Sequence, residues 1–317
     1  AAAAAAASSA AKHGSSNTQP PPPQTDKDLV VMTVNDGEMD MLVNFACSCH
    51  SNDIDTSHVV VFAASESIVD SINALGFVAI YNQEFASVSS LASAQYLDPI
   101  FVDMMWYKAF SVWVLLKMGY NVLFQDVDLV WFKEPFSFMY APDRQTVHGA
   151  HTDGFFSDDG QRGLRYAPYY ANSGFYYLKA NARTENLAWL VMTSYDTIKV
   201  TGSHQNVFIA KLIESVDLAG LAPYLLDIDL FPTGVKYHRD RPYMKGIEEG
   251  WQHPYNFHMC WTLNKKDKIK YFHNVHMWYI NGDATNTDGD GGGNHDHGDA
   301  CALASSYKAP EGSLYKY

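Results

Sequence analysis

The stretch Asn121-Val122-Leu123-Phe124-Gln125-Asp126-Val127-Asp128-Leu129-Val130-Trp131-Phe132 joins two apolar runs through a pair of carboxylates one residue apart. The first run is short, continuous and β-prone, which predicts a buried strand over residues 121–125. Before it, within residues 103–118, Trp106, Ala109, Phe110, Trp113 and Val114 fall at helical spacing, and Gly119 supplies a C-terminal stop. A helix leading directly into a buried strand is the repeating unit of a parallel sheet, and such sheets bind ligands at the carboxyl ends of their strands. Asp126 and Asp128 stand at such an end.

The alternation continues on both sides. Residues 29–34 predict a first strand ending in the turn-prone Asn35-Asp36-Gly37, and residues 38–47 predict a helix. Residues 58–63 and 76–80 predict further strands with helical text between them. Farther on, residues 174–178 read as a strand, 184–199 as one helix and 205–215 as another. The expectation is a single α/β, Rossmann-like domain over residues 29–317, with a mainly parallel central sheet flanked by helices. Residues 1–28 are rich in Ala, Ser and Gln and carry four consecutive prolines. They offer too little apolar surface to offset ordering entropy, so a disordered stem is expected. Residues 285–299, rich in Gly, Asp, Asn and His, predict a mobile surface loop.

Composition narrows the partners. With 317 residues, 47% of them hydrophobic, the chain has material for a substantial core. A net charge of -13 disfavours general binding to nucleic acid or to an anionic membrane surface. No apolar run reaches the length of a bilayer span. The chain opens on an alanine tract without the pattern of a signal peptide and reads as a truncated or processed fragment. Cys47, Cys49, Cys260 and Cys301 are too few and too scattered for a disulfide scaffold, and no CxxC spacing points to structural zinc. They leave the redox compartment open.

In extended backbone, residues i and i+2 share a face, so the carboxylates of Asp126 and Asp128 converge. A hard divalent cation relieves their repulsion and can neutralise charge on a departing diphosphate. The plain alternative is a pair of loop carboxylates at a strand end. Lys108, residues 115–132 and Pro135 resemble the core signature of glycosyltransferase family 77. The resemblance continues at Asn172-Ser173-Gly174-Phe175-Tyr176-Tyr177, at Gln205, at Leu230-Phe231-Pro232 and from His258 to Trp278. It implies a GT-A fold and a retaining transferase moving galactose, xylose or arabinose from a UDP-sugar to a glycan or glycoprotein, in the Golgi lumen behind a type II anchor. A cytoplasmic enzyme of the family would read the same.

The resemblance also implies a set of site residues. Asp126, Asp128 and His258 would hold the metal, expected to be Mn²⁺ with Mg²⁺ as the alternative. Thr33, Val34 and Asn35 match the place that holds uracil and ribose, with Lys108, Asp126, Val127, Asp128 and Lys268 completing the nucleotide site. Asp128, Asn172 and Gln205 are the catalytic candidates. Lys265, Lys266 and Lys270 read as solvated surface. This chain departs from the family pattern at His204, where an aspartate is usual, at Cys260 for asparagine and at Asn264 for glycine. These departures put donor-sugar and acceptor contacts in question. A covalent mechanism would need a carboxylate beneath the sugar, for which Asp153 and Asp227 are the candidates; attack from the leaving-group side needs none. His273 and His276 are expected to be packing or surface residues, and His295 and His297 an adventitious metal-binding tract. Two other readings remain: a nucleotide-sugar or glycan-binding protein that has lost turnover, and a metal-dependent hydrolase.

Overall fold

The computed structural model describes residues 25–85, 99–280 and 301. Side chains of a strand alternate between faces, and here both faces are covered. In β1 (Asp28–Val34), Val30, Met32 and Val34 enter one core while Val31 enters the other. Helix α1 (Met39–Ser51) covers the first face. Strand β2 (Val59–Ala63) repeats the division, with Val61 on the first side and Val60 and Phe62 on the second. After α2 (Val69–Ala74) and β3 (Val78–Ile80) comes α3 (Pro99–Lys117), whose Met105, Val112 and Leu116 cover the second face. Strand β4 (Asn121–Gln125) follows, as the sequence predicts.

A short β5 (Leu129–Trp131), α4 (Phe136–Met139) and a hairpin of β6 (Thr146–Val147) and β7 (Ala150–His151) lead to β8 (Gly154–Asp158) and β9 (Ala171–Leu178). The single helix expected over 184–199 is two. These are α5 (Ala182–Met192) and α6 (Tyr195–Thr201). The hydroxyls of Thr193 and Ser194 donate to the carbonyls of Trp189 and Leu190, and such back-bonding competes with helix propagation. Then come α7 (His204–Ala219), β10 (Pro223–Leu225), α8 (Gly234–Arg239), α9 (Arg241–Glu248), β11 (Asn256–His258) and α10 (Lys265–Asn274).

The main sheet has the order β10-β8-β9-β4-β1-β2-β3. β1 runs parallel to β2 and β4, β2 to β3, and β8 to β10. β9 alone is reversed, pairing antiparallel with β4 and β8. Its start therefore lies beside the carboxyl ends of its neighbours, with Ala171 opposite Asp158 and Phe175 opposite Gln125. The opposite edge is tied together by Asp28, which belongs to β1 rather than to the stem. Its carboxylate accepts hydrogen bonds from Asn121, Tyr140, Tyr177 and the Thr25 amide. Cys47 of α1 is disulfide-bonded to Cys301 across 254 positions of sequence, a pairing that the spacing of four cysteines did not reveal. Among the described residues no helix is long and apolar enough to cross a membrane. The loop expected at 285–299, with His295 and His297, lies outside the described residues, as do residues 1–24 of the expected stem.

Candidate active site

Buried Gln125 ends β4 and accepts a hydrogen bond from the Trp131 indole at 2.8 Å, bracing the loop between β4 and β5. The Asp126 amide donates to the Gly174 carbonyl, and the Met259 amide to the Asp128 carbonyl. β11 pairs antiparallel with β5, setting His258 opposite Leu129. By this pairing His258 meets two residues about 130 positions earlier in the chain. One ligand atom each of Asp126, Asp128 and His258 lies within 4.8 Å of the others. The His258 Nε2 is 3.3 Å from Asp128 Oδ1 and 4.0 Å from Asp126 Oδ2. His258 is buried, and neither ring nitrogen has a hydrogen-bond partner among the described residues. Two carboxylates and a buried imidazole are a donor set that fits a divalent metal ion. Gly174 makes the cluster sterically feasible: a Cβ there would stand 2.4 Å from His258 Cε1 and 2.7 Å from Asp126 Oδ2.

Two lysines attend the carboxylates. Lys108 Nζ is 2.5 Å from Asp126 Oδ1, and Lys268 Nζ is 2.7 Å from Asp128 Oδ2. Burial opposes the charge of Asp128, but Lys268 and His258 outweigh it and hold the carboxyl well below the usual range. Burial likewise opposes the charge of Lys268, yet Asp128 and Glu38 keep its pKa raised. Lys266 and Lys270 are exposed as expected. Lys265 is not a solvated surface residue: it pairs with buried Asp40 at 2.5 Å and also reaches the Gly37 carbonyl, so its charge is tied to the start of α1.

These groups open onto a cleft. The structure brings Thr33, Asn35, Lys108, Asp126, Val127, Asp128 and Lys268 to its walls, together with Met104 and Met105 of α3 and Leu263 and Asn264. Thr33 Oγ1 is buried without a hydrogen-bond partner among the described residues. Val34 does not reach the cleft. Its side chain is in the core and its carbonyl accepts from the Ala64 amide, because β-alternation turns it away from Thr33.

Asn172 and Gln205 lie beside the cleft, in a second cluster built on Asp159. Asn172 Nδ2 donates to Asp159 Oδ1 at 2.8 Å and Gln205 Nε2 donates to the same oxygen at 3.1 Å. The sequence reading missed Asp159. A signal was present, since Phe155-Phe156-Ser157-Asp158-Asp159-Gly160 repeats the pattern of an apolar strand ending in carboxylates. The carboxylates named instead do not serve. Asp153 starts β8 at the far edge, held by Arg183, Asn181 and the Ala222 amide, and Asp227 is exposed and accepts from the Asp229 amide.

His204 is buried against Met105, its Nδ1 3.0 Å from the sulfur; burial, reinforced by Lys108, pushes its pKa down to about 3. A neutral, inward-packed imidazole there is a core residue. Cys260 is half-buried, 3.9 Å from Asn172 Nδ2, and Asn264 caps α10 by accepting from the Asp267 amide. His273 stacks near Trp278, and His276 is exposed beside Glu248.

A strand-end carboxylate pair completed by a histidine, with lysines facing an open cleft, is the equipment for holding a metal-bound diphosphate. The family profile described as nucleotide-diphospho-sugar transferase matches residues 55–272. The chain belongs to this family. Nucleotide-diphospho-sugar transferases similar to it include an Arabidopsis thaliana UDP-D-xylose:L-fucose alpha-1,3-D-xylosyltransferase, 27% identical over 52% of this chain and 46% of the relative. A Dictyostelium discoideum UDP-galactose:fucoside alpha-3-galactosyltransferase is 24% identical over 53% of this chain and 27% of its own length. The chain thus spans less than half of these relatives. Mouse xyloside xylosyltransferase 1 in its apo form superposes with a TM-score of 0.42 at 12% identity, over 74% of this chain and 98% of that one.

Proposed function

We propose that the chain is the catalytic domain of a retaining, Mn²⁺-dependent glycosyltransferase of the family 77 type, using a UDP-sugar as donor and a glycan or glycoprotein as acceptor. The observation that carries this reading is the cluster of Asp126, Asp128 and orphaned His258 beside a cleft that also presents Thr33, Lys108 and Lys268. Xylose and galactose lead as donor sugars because the relatives named above transfer them, with arabinose as the third candidate; their fucose-containing acceptors make a fucoside the first acceptor to try. The Cys47–Cys301 disulfide favours an oxidising compartment such as the Golgi lumen.

In this reading Asp126, Asp128 and His258 hold the ion, which when bound neutralises the diphosphate of the donor. Lys268 leaves Asp128 for a phosphate oxygen and stabilises the charge that grows there as UDP departs. Lys108 holds Asp126 in place. Thr33 Oγ1 and Asn35 are positioned to meet the nucleoside at the end of β1. The acceptor hydroxyl attacks from the side the diphosphate leaves, and its proton passes to a phosphate oxygen, so no protein base is required.

The test is UDP release by the purified chain with Mn²⁺ across a panel of UDP-sugars, beside Asp128→Ala. Release from one donor, reduced at least about 10³-fold in the variant, is expected. UDP binding without turnover, even with fucosides added, would favour a binding protein of the same fold; no nucleotide binding with Mn²⁺ would defeat the reading.

A further inference from the structure

The strand order arranges the site along one line. At the edge where β1, β4 and β8 end and β9 begins, the groups run from Thr33 and Asn35, through Asp126 and Asp128, to Asn172 and then Asp159. A nucleotide sugar with its nucleoside toward β1 and its diphosphate on the central carboxylates extends its sugar over β9 toward β8. A buried carboxylate waits there. Asp159 is 5% exposed, and its Oδ1 takes both amide donors, from Asn172 and Gln205. Gln205 Oε1 is committed to the Ser173 amide and hydroxyl, each at 3.1 Å, and Asn172 Oδ1 to the Gly174 amide at 2.8 Å. These bonds brace both amides against Asp159. The second oxygen of Asp159 accepts no hydrogen bond from any described residue.

The rest of the residue is clamped as well. Its amide donates to the Tyr170 carbonyl, and its own carbonyl accepts from the Trp261 indole at 3.0 Å. Trp261 holds a φ of 64°, a left-handed conformation that is costly for a bulky side chain, with the Arg239 guanidinium 4.9 Å over its ring. Burial pushes the Asp159 carboxyl above its ordinary range, while the Asn172 and Gln205 donors favour its charged form.

We propose that Asp159 is a catalytic carboxylate. Its open oxygen accepts a hydrogen bond from a hydroxyl of the transferred sugar, and its negative charge stabilises the positive charge developing at the anomeric carbon. The inference rests on the transferase reading above. In the step it assists, the bond from the anomeric carbon to the β-phosphate oxygen breaks and its electron pair leaves with UDP. The acceptor oxygen bonds to that carbon and its proton goes to the departing phosphate; Asp159 exchanges no proton.

Two variants separate charge from bracing. Asp159→Asn keeps an oxygen for Asn172 and Gln205 and removes the charge, whereas Asp159→Ala removes both. Turnover on the active UDP-sugar, Mn²⁺-dependent UDP binding and Tm are measured for all three proteins. The expectation is a fall in kcat of about 10²–10³-fold in both variants, with the UDP Kd of Asp159→Asn within about twofold of wild type and its Tm unchanged. An active Asp159→Asn beside an inactive Asp159→Ala would make the residue a brace and overturn the proposal, as would loss of UDP binding in Asp159→Asn. A wild-type chain that turns over no donor fails earlier, at the transferase reading, and takes this proposal with it.

Discussion

Each carboxylate of the central pair already carries a counter-ion from within the chain, Lys108 on Asp126 and Lys268 on Asp128. A divalent ion arriving without nucleotide must compete with Lys268 for Asp128, whereas an ion arriving with a diphosphate gives that lysine another partner. Lys268→Met is therefore expected to bind Mn²⁺ alone more tightly than wild type. It is expected to bind UDP with Mn²⁺ about 10- to 100-fold more weakly, the worth of one charge-assisted hydrogen bond. Calorimetry with Mn²⁺ alone and then with UDP reads both, and equal Mn²⁺ affinity in the two proteins would count against the competition. At Gly174 the issue is space. Gly174→Ala sets a methyl 2.4 Å from His258 Cε1, so Mn²⁺ affinity should fall at least about tenfold while Tm drops only a few degrees, measured by titration and melting. The paired aspartates were legible in the sequence because they are neighbours on one strand end. His258 was legible only through resemblance; Asp159 showed only as a carboxylate after an apolar strand, because Gln205, which meets it, stands 46 positions away.

Elements built from local periodicity were read well. β4 has the bounds its apolar run predicts, and α3 and β1 differ from expectation only at their ends. What periodicity does not carry is direction. The text of residues 174–178 says strand, yet nothing in it says that the strand begins at Ala171 or runs against β4, and that reversal brings Asn172 to the site. Side-chain competition for carbonyls at Thr193 and Ser194 was equally invisible to a helical pattern. At the opposite edge, Asp28 joins β1, β4, β9 and α4. Burial opposes its charge, but the Thr25 amide with Tyr177, Asn121 and Tyr140 outweighs it and lowers its pKa. A depressed carboxyl contributes stability above its unfolded pKa, about 3.9, and loses it as pH falls through the folded value. Asp28→Asn should cost about 1–3 kcal/mol near neutral pH, and its Tm deficit against wild type should shrink below about pH 4. A deficit that does not vary with pH would assign the loss to packing instead.

At the scale of the molecule, the Cys47–Cys301 bridge fastens α1 to a residue that follows α10, closing nearly the whole fold into one loop. A disulfide typically contributes on the order of 2–4 kcal/mol. Cys301→Ser should melt several degrees below wild type, and reductant should bring the wild-type melting curve down to that of the variant. The carboxyl edge of the sheet has a second whole-molecule property, which follows from β9. Because that strand is reversed, the stretch linking β8 to β9 departs from and returns to the same edge. Beyond Asp159, residues 160–170 therefore form an insert that leaves and rejoins the sheet at the edge carrying the site. Exchanging that insert is expected to change what borders the Asp159 cluster while leaving the strand-end groups of β1 and β4 in place.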